Sequence, residues 1–197
     1  MKSFFIRIPK CASSSIVNGL GNHPGFSYTG GLACSFWGDS PLDNTDQSIL
    51  NFIDLSQHDF TFSCVRNPWD RVVSAYQNGG WNLPQERERC PTFAACIEAI
   101  RTNDFPTQTS LASKWHLTPA ARHLYRDDKQ AVDFIIKFEN LQEDFDTACQ
   151  MLGIDPFTVR HDNATEHKPY REYYTEDSRN VVAEYYQEDI DRFGYKF

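Results

Sequence analysis

Three short apolar stretches, each followed by a turn and a helix-like segment, constrain the fold of this chain more than any other feature. They cover Phe4–Ile8, Asp59–Val65 and Val132–Phe138, and their β-branched and aromatic residues are typical of buried strands. Strands that alternate with helices form a parallel sheet, which binds ligands at its carboxyl edge. A chain of 197 residues fits one core. The sequence therefore predicts a single α/β domain over residues 1–197, with a central parallel sheet flanked by helices.

Helix signals fill the spaces between these stretches. Asn67 is a good N-cap before Pro68, Asn140 and Glu143 resemble a capping box, and Thr175 is a cap for a last helix through Phe193. The apolar spacing also predicts helices over residues 45–56, 91–101 and 141–152, with a short one after Thr118-Pro119 and a short strand at 26–28.

The turn after the first stretch has the composition of an anion site. Pro9 ends the strand, and Lys10 and a run of small residues precede a helix that Gly21 closes. A cation, hydroxyl groups and the free N–H groups of a helix start together favour phosphate. The alternative is an ordinary turn that needs small residues for space. The lysine precedes the small residues, so the turn is not a Walker A loop of an ordinary ATPase or GTPase.

A second phosphate motif follows the second stretch. Arg66 lies at the strand end, and Ser74 lies about two turns into the next helix. Together they can grip one phosphate from two sides, the arginine through a charge-assisted fork. The alternatives are a surface salt bridge for Arg66 and a close helix contact for Ser74. Arg71 is expected to pair with Asp70 or a neighbouring acid, or to brace the loop.

Composition narrows the class of protein. A net charge of −8 argues against nucleic acid as a partner. No apolar run approaches the roughly 20 residues of a membrane span. The first strand follows Met1-Lys2-Ser3 directly, so we expect no signal peptide unless one has been removed. The six cysteines have no zinc spacing, and we interpret them as buried thiols in a reducing compartment. Cys11 is the exception because it lies in the anion loop.

Taken together, Ile8–Ser15, Val65–Tyr76, Phe138–Leu141 and the tail from Tyr170 resemble the sulfotransferase superfamily that uses 3′-phosphoadenosine 5′-phosphosulfate (PAPS). The carbohydrate, Golgi-type branch is the most similar, and the likeness spans nearly the whole chain. It implies a fold like that of P-loop NTPases. It also implies that Arg66 and Ser74 hold the 3′-phosphate. The residues implied to hold the 5′-phosphosulfate are Lys10, Cys11, Ala12, Ser13, Ser14 and Ser15. The segment implied to close over the nucleotide contains His167, Lys168, Tyr170 and Arg171.

The resemblance also implies the chemistry. Lys10 would neutralise charge on the bridging oxygen, and a base would take the proton of the acceptor hydroxyl. The candidate bases are His116 and His58, of which His58 lies at the wrong end of its strand; acids at Asp39, Asp43 or Glu86 are further alternatives. The loop tryptophans Trp37, Trp81 and Trp115 are candidates to stack on a sugar, with ordinary packing as the alternative.

Two other functions stay open at this point. One is a kinase of P-loop type that uses ATP, and the other is a relative that binds a nucleotide or glycan without catalysis. We expect a sugar hydroxyl as the acceptor and no metal. We also expect a cytoplasmic protein, or the catalytic part of a Golgi protein trimmed of its anchor.

Overall fold

The structure is a computed structural model that describes residues 1–29, 48–51, 53–77, 90–104, 116–160 and 168–197. The strands are β1 Ser3–Ile6, β2 Phe26–Tyr28, β3 Phe60–Val65, β4 Tyr125–Arg126, β5 Lys129–Gln130 and β6 Phe134–Lys137. The helices are α1 Ser13–Leu20, α2 Pro68–Gln77, α3 Phe93–Thr102, α4 Ala121–Leu124, α5 Leu141–Leu152, α6 Glu176–Tyr185 and α7 Gln187–Phe193. The chain groups into two compact units, Met1–Arg66 with Ala120–Ala164, and Asn67–Pro119 with Thr165–Phe197.

The first unit is built on a parallel sheet with the strand order β2-β1-β3-β6. Ile6 pairs with Ser63 and Val65 pairs with Lys137, so β1, β3 and β6 end at the same edge. Every residue of β3 is buried, as is typical of an inner strand of a parallel sheet whose two faces are both covered. Helix α5 packs against β6 and β3. The predicted α/β class, with a central parallel sheet flanked by helices, is confirmed.

The second unit is helical. Its core joins Trp69 and Val72 of α2, Ile97 of α3 and Val182 of α6. Helix α2 begins where the Asn67-Pro68 pair predicts, and the Trp69 N–H donates to Asn67 Oδ1 over 3.1 Å. Thr175 caps α6 as predicted, through a reciprocal capping box with Ser178.

One predicted helix is wrong. In place of a helix over 45–56, the described residues form separate 3₁₀ turns at Ile49–Asn51 and Leu55–Gln57. Asp54 explains the second turn, because it is the N-cap of that turn. Its carboxylate accepts hydrogen bonds from the Ser56 N–H and hydroxyl.

The ends of the chain's other elements also differ in detail from prediction. The last helix breaks into α6 and α7 at Tyr186, where φ is −105°. No side chain hydrogen bond from Asn140 caps α5. The hairpin of β4 and β5 has no equivalent in the prediction, and Asp127 and Asp128 form its turn with φ of 49° and 61°. Two residues per strand are too few for an alternating pattern to predict.

Candidate active site

The loop after β1 adopts an unusual backbone. Lys10 and Ala12 have φ of 67° and 53°, in the left-handed region. Helix α1 follows, and its first helical hydrogen bond runs from the Ile16 N–H to the Ala12 carbonyl over 3.1 Å. The N–H groups of residues 13–15 therefore precede the helical ladder, and Ala12 has no side-chain oxygen to cap them. This is the helix start that the sequence predicts as an anion site.

Lys10 is half-buried in this loop, and burial disfavours the charged form of its amine. The pKa of Lys10 is lowered from its usual 10.5 to about 8, chiefly by burial and next by the nearby Arg66 cation, while Cys11 acts in the opposite direction. An amine in such a position is stabilised in its charged form by any anion that binds beside it. The direction of the shift means that binding of an anion at this position would raise the pKa of Lys10 again.

Arg66 directly follows β3 and contacts the same loop. Its Nη1 donates to the Lys10 carbonyl oxygen over 3.2 Å, and its guanidinium carbon lies 4.0 Å from the centre of the Phe138 ring. Phe138 directly follows β6, so stacking on it fixes the guanidinium plane at the sheet edge. The structure thus brings together the two predicted cations, Lys10 and Arg66, at the carboxyl edge of the sheet.

The cysteines near this edge are buried thiols. Cys11 is fully buried, and its Sγ lies 3.5 Å from the Pro9 carbonyl oxygen. Burial raises the pKa of Cys64, and Cys11 and Glu139 raise it further. A thiol with a raised pKa is a poor nucleophile. Lys10, Arg66 and the helix start therefore stay the candidate groups at this edge.

Other predicted ligands of the nucleotide lie in the second unit. Ser74 is buried on α2, whereas Lys168 and Arg171 are exposed. The Arg171 guanidinium carbon lies 5.2 Å from the Tyr170 ring centre and 5.8 Å from that of Phe197. Phe197 thus joins a cluster of aromatic rings with cationic neighbours that the sequence alone did not indicate.

The two candidate histidines differ in position. His58 precedes β3 at the amino edge of the sheet, where its ring lies 4.7 Å from that of Phe4 and its Nε2 lies 3.4 Å from Ser27 Oγ. Lys10 follows the carboxyl end of β1, so the structure does not bring His58 to Lys10. His116 lies in the second unit. The predicted acids Asp39, Asp43 and Glu86, the three loop tryptophans, Cys34 and His167 lie outside the described residues.

Arg71 has a partner that the sequence did not suggest. It forms a buried ion pair with Asp189 at 3.9 Å and donates to the His116 carbonyl over 3.2 Å. The sequence predicts Asp70, a neighbouring acid or the loop as its partner. Asp70 is the preceding residue on the helix, and adjacent helical residues do not face each other. Asp189 lies far along the chain, and no local pattern could have indicated it.

Comparison with known proteins gives the family. The model of the sulfotransferase family matches residues 2–196. Searches among curated proteins and among solved structures find no match. Because the match covers nearly the whole chain, this protein belongs to the sulfotransferase family. The predicted superfamily is confirmed, the carbohydrate branch is consistent with this family, and the parallel sheet is consistent with its fold.

The family defines the reaction in general terms as sulfuryl transfer to an acceptor hydroxyl. None of the helices in the described ranges combines the length and apolar character that a membrane crossing needs. Within the same part of the chain, no group of His, Cys, Asp and Glu side chains is arranged to hold a metal ion.

Proposed function

We propose that this protein transfers a sulfuryl group from PAPS to a hydroxyl of a carbohydrate acceptor. The observation that carries the proposal is the contact of Arg66 with the Lys10 loop, 3.2 Å from Nη1 to the carbonyl oxygen. Arg66 is also the nearby cation that lowers the pKa of Lys10, so both positive side chains act on the same part of the sheet edge, where an anionic ligand would be attracted by both. Family membership supplies the reaction class.

The loop fits a phosphosulfate group. The N–H groups of Ser13, Ser14 and Ser15 start α1 before its first helical hydrogen bond, and all three side chains carry hydroxyls. The positive end of the helix dipole adds to the attraction. PAPS, when bound, supplies an activated sulfuryl group on a phosphate leaving group. In our proposal Lys10 and this helix start hold the 5′ end, and Arg66 holds the 3′-phosphate.

Lys10 has the main electrostatic role. Sulfuryl transfer, like phosphoryl transfer, depends mainly on positioning and on stabilising charge. The Lys10 ammonium neutralises negative charge that grows on the leaving phosphate oxygen. Its half-buried position strengthens this interaction, because the dielectric is lower there than in water.

The remaining roles are proposals that rest on the motif likeness. Ser74 is proposed to bind the 3′-phosphate, and Lys168, Tyr170 and Arg171 to cover the nucleotide. His116 is proposed to take the proton of the acceptor hydroxyl, and His58 is not proposed because of its position at the amino edge. A neutral sugar suits a chain with a net charge of −8 better than an already sulfated polymer.

Thermal-shift titration tests the donor. Adenosine 3′,5′-bisphosphate, the expected product of PAPS, is compared with ATP on the full chain. A ligand at 100 times its Kd stabilises a protein by about 2.7 kcal/mol, so the melting temperature should rise clearly with the bisphosphate. Lys10→Ala and Arg66→Ala should lose this rise. Lys129→Ala, which removes an exposed lysine of strand β5, should keep it.

The same titration decides against the alternative. A P-loop kinase would be stabilised by ATP and not by the bisphosphate. A rise with ATP alone would overturn the proposed function. A rise with the bisphosphate that survives Lys10→Ala and Arg66→Ala would overturn the proposed site.

A further inference from the structure

A buried cation lies in the helical unit, apart from Lys10 and Arg66. The Arg71 side chain on α2 is 1% exposed and the Asp189 side chain on α7 is 3% exposed, with 3.9 Å between Nη1 and Oδ2. Val72, Leu117 and Val182 belong to the hydrophobic core of the same unit. A buried ion pair adds little to stability beyond what apolar side chains of the same size give. Its presence in this core therefore suggests a role other than stability.

The ion pair holds the backbone that carries His116. Arg71 Nη2 donates to the His116 carbonyl oxygen over 3.2 Å. The Tyr186 hydroxyl donates to the next carbonyl, that of Leu117, over 2.5 Å. Tyr186 is fully buried, and burial raises its pKa, so the hydroxyl keeps the proton that it donates. Two buried donors thus fix two successive peptide planes.

The first of these planes includes the His116 Cα, so the two hydrogen bonds hold the backbone position from which the His116 side chain projects. The His116 and Leu117 carbonyls lie on either side of the Leu117 Cα, so the local backbone has little freedom to rotate. The Arg71 guanidinium carbon also lies 6.0 Å from the Tyr186 ring centre, which ties the two donors to each other. Asp189 in turn holds the guanidinium from α7.

We propose that Arg71 and Tyr186 are positioning residues that orient the His116 imidazole toward the acceptor hydroxyl, with Asp189 holding Arg71. This inference rests on the proposed function, in which His116 is the base. Arg71 also shares α2 with Ser74, one turn further along the helix. Helix α2 therefore carries both Ser74, which is proposed to bind the 3′-phosphate, and Arg71, which holds the backbone of the proposed base His116.

Tyr186→Phe is the variant that tests the inference. It removes one hydroxyl and keeps the ring in the core, so the fold should survive. Tyr125→Phe is the matched control, since Tyr125 belongs to the first unit and its hydroxyl donates to the exposed Gln130 side chain of the hairpin over 3.4 Å. Asp189→Asn is a second variant that loosens Arg71 without touching Tyr186.

The first readout is independent of any acceptor. In the full chain with isotope-labelled histidine, six imidazole signals are expected from six histidines, and His116→Gln assigns one of them. We expect the His116 signal to move or broaden in Tyr186→Phe while the other five stay in place. We expect no change in Tyr125→Phe. An unchanged His116 signal in Tyr186→Phe would overturn the positioning role.

The second readout is transfer of radiolabelled sulfate from PAPS to N-acetyllactosamine or chitotetraose, whichever wild type uses faster. We expect Tyr186→Phe to lower kcat about tenfold, because a misplaced base loses part of its effect, with KM for PAPS unchanged. In a His116→Ala background the same change should have no further effect.

The outcomes separate the two proposals. If Tyr186→Phe lowers kcat by the same factor in the His116→Ala background as in wild type, the effect is structural and the positioning role is overturned. Absence of transfer by wild type to both sugars would overturn the proposed function. Transfer that Tyr186→Phe leaves at the wild-type rate would overturn the positioning role alone.

Discussion

Raising the pH from 7 to 9 should release the proposed donor product, adenosine 3′,5′-bisphosphate, from the loop after β1. The pKa of Lys10 is lowered by burial, and next by Arg66, from 10.5 to about 8. Such an amine is about 90% charged at pH 7 and about 10% charged at pH 9. If only the ammonium form binds the anion, the affinity falls about tenfold over this range. The phosphates do not complicate the measurement, since their second pKa is about 6.

Titration calorimetry measures both the affinity and the protons exchanged. A bound anion favours the ammonium form and raises the pKa of Lys10, so binding at pH 8 should take up about half a proton. Two buffers of different ionisation enthalpy give this number. Lys10→Arg is the matched control, because a guanidinium stays charged throughout and should bind without proton uptake near pH 8. An affinity that is constant from pH 7 to 9, or equal uptake in Lys10→Arg, would refute the reasoning.

Three further substitutions test other parts of the account. Arg66→Lys should weaken binding of the bisphosphate about tenfold by calorimetry. An ammonium cannot make the paired hydrogen bonds of a guanidinium to a phosphate, and it does not stack on Phe138 in the same way. Unchanged affinity would contradict the assignment of Arg66 to the 3′-phosphate. Asp189→Asn should cost about 3–5 kcal/mol in urea denaturation, because it leaves the buried Arg71 charge without its carboxylate; a loss below about 1 kcal/mol would mean that the pair is not desolvated as described. Thr175→Ala should cost about 1 kcal/mol by removing the cap of α6, and an unchanged melting temperature would argue against that cap.

The parts of the fold that were predictable depend on neighbours in sequence. Asn67 and Pro68 begin α2, Thr175 caps α6, and Gly153 ends α5 in the left-handed region with φ of 71°. Each signal acts on backbone groups within a few residues. The joint position of Lys10 and Arg66 was predictable for a similar reason, because each lies in the segment that follows the carboxyl end of a strand of one parallel sheet.

The parts that were not predictable depend on tertiary packing. The Arg71–Asp189 pair and the hydrogen bond from Tyr186 to the Leu117 carbonyl join residues far apart in sequence. The wrong helix over 45–56 has a local cause instead. The Asp54 carboxylate accepts hydrogen bonds from Ser56, and a short turn forms where the apolar spacing predicts a helix. Side-chain bonds of this kind compete with the helix at residues that still match its periodicity.

Transfer of radiolabelled sulfate from PAPS to a neutral sugar, in wild type and in Lys10→Met, tests the central claim most directly. We expect labelled sugar from wild type and a loss of about 10²–10³ in rate from Lys10→Met, because one charge that stabilises the leaving oxygen is removed. Label transfer by Lys10→Met at the wild-type rate, or none by wild type, would contradict the account.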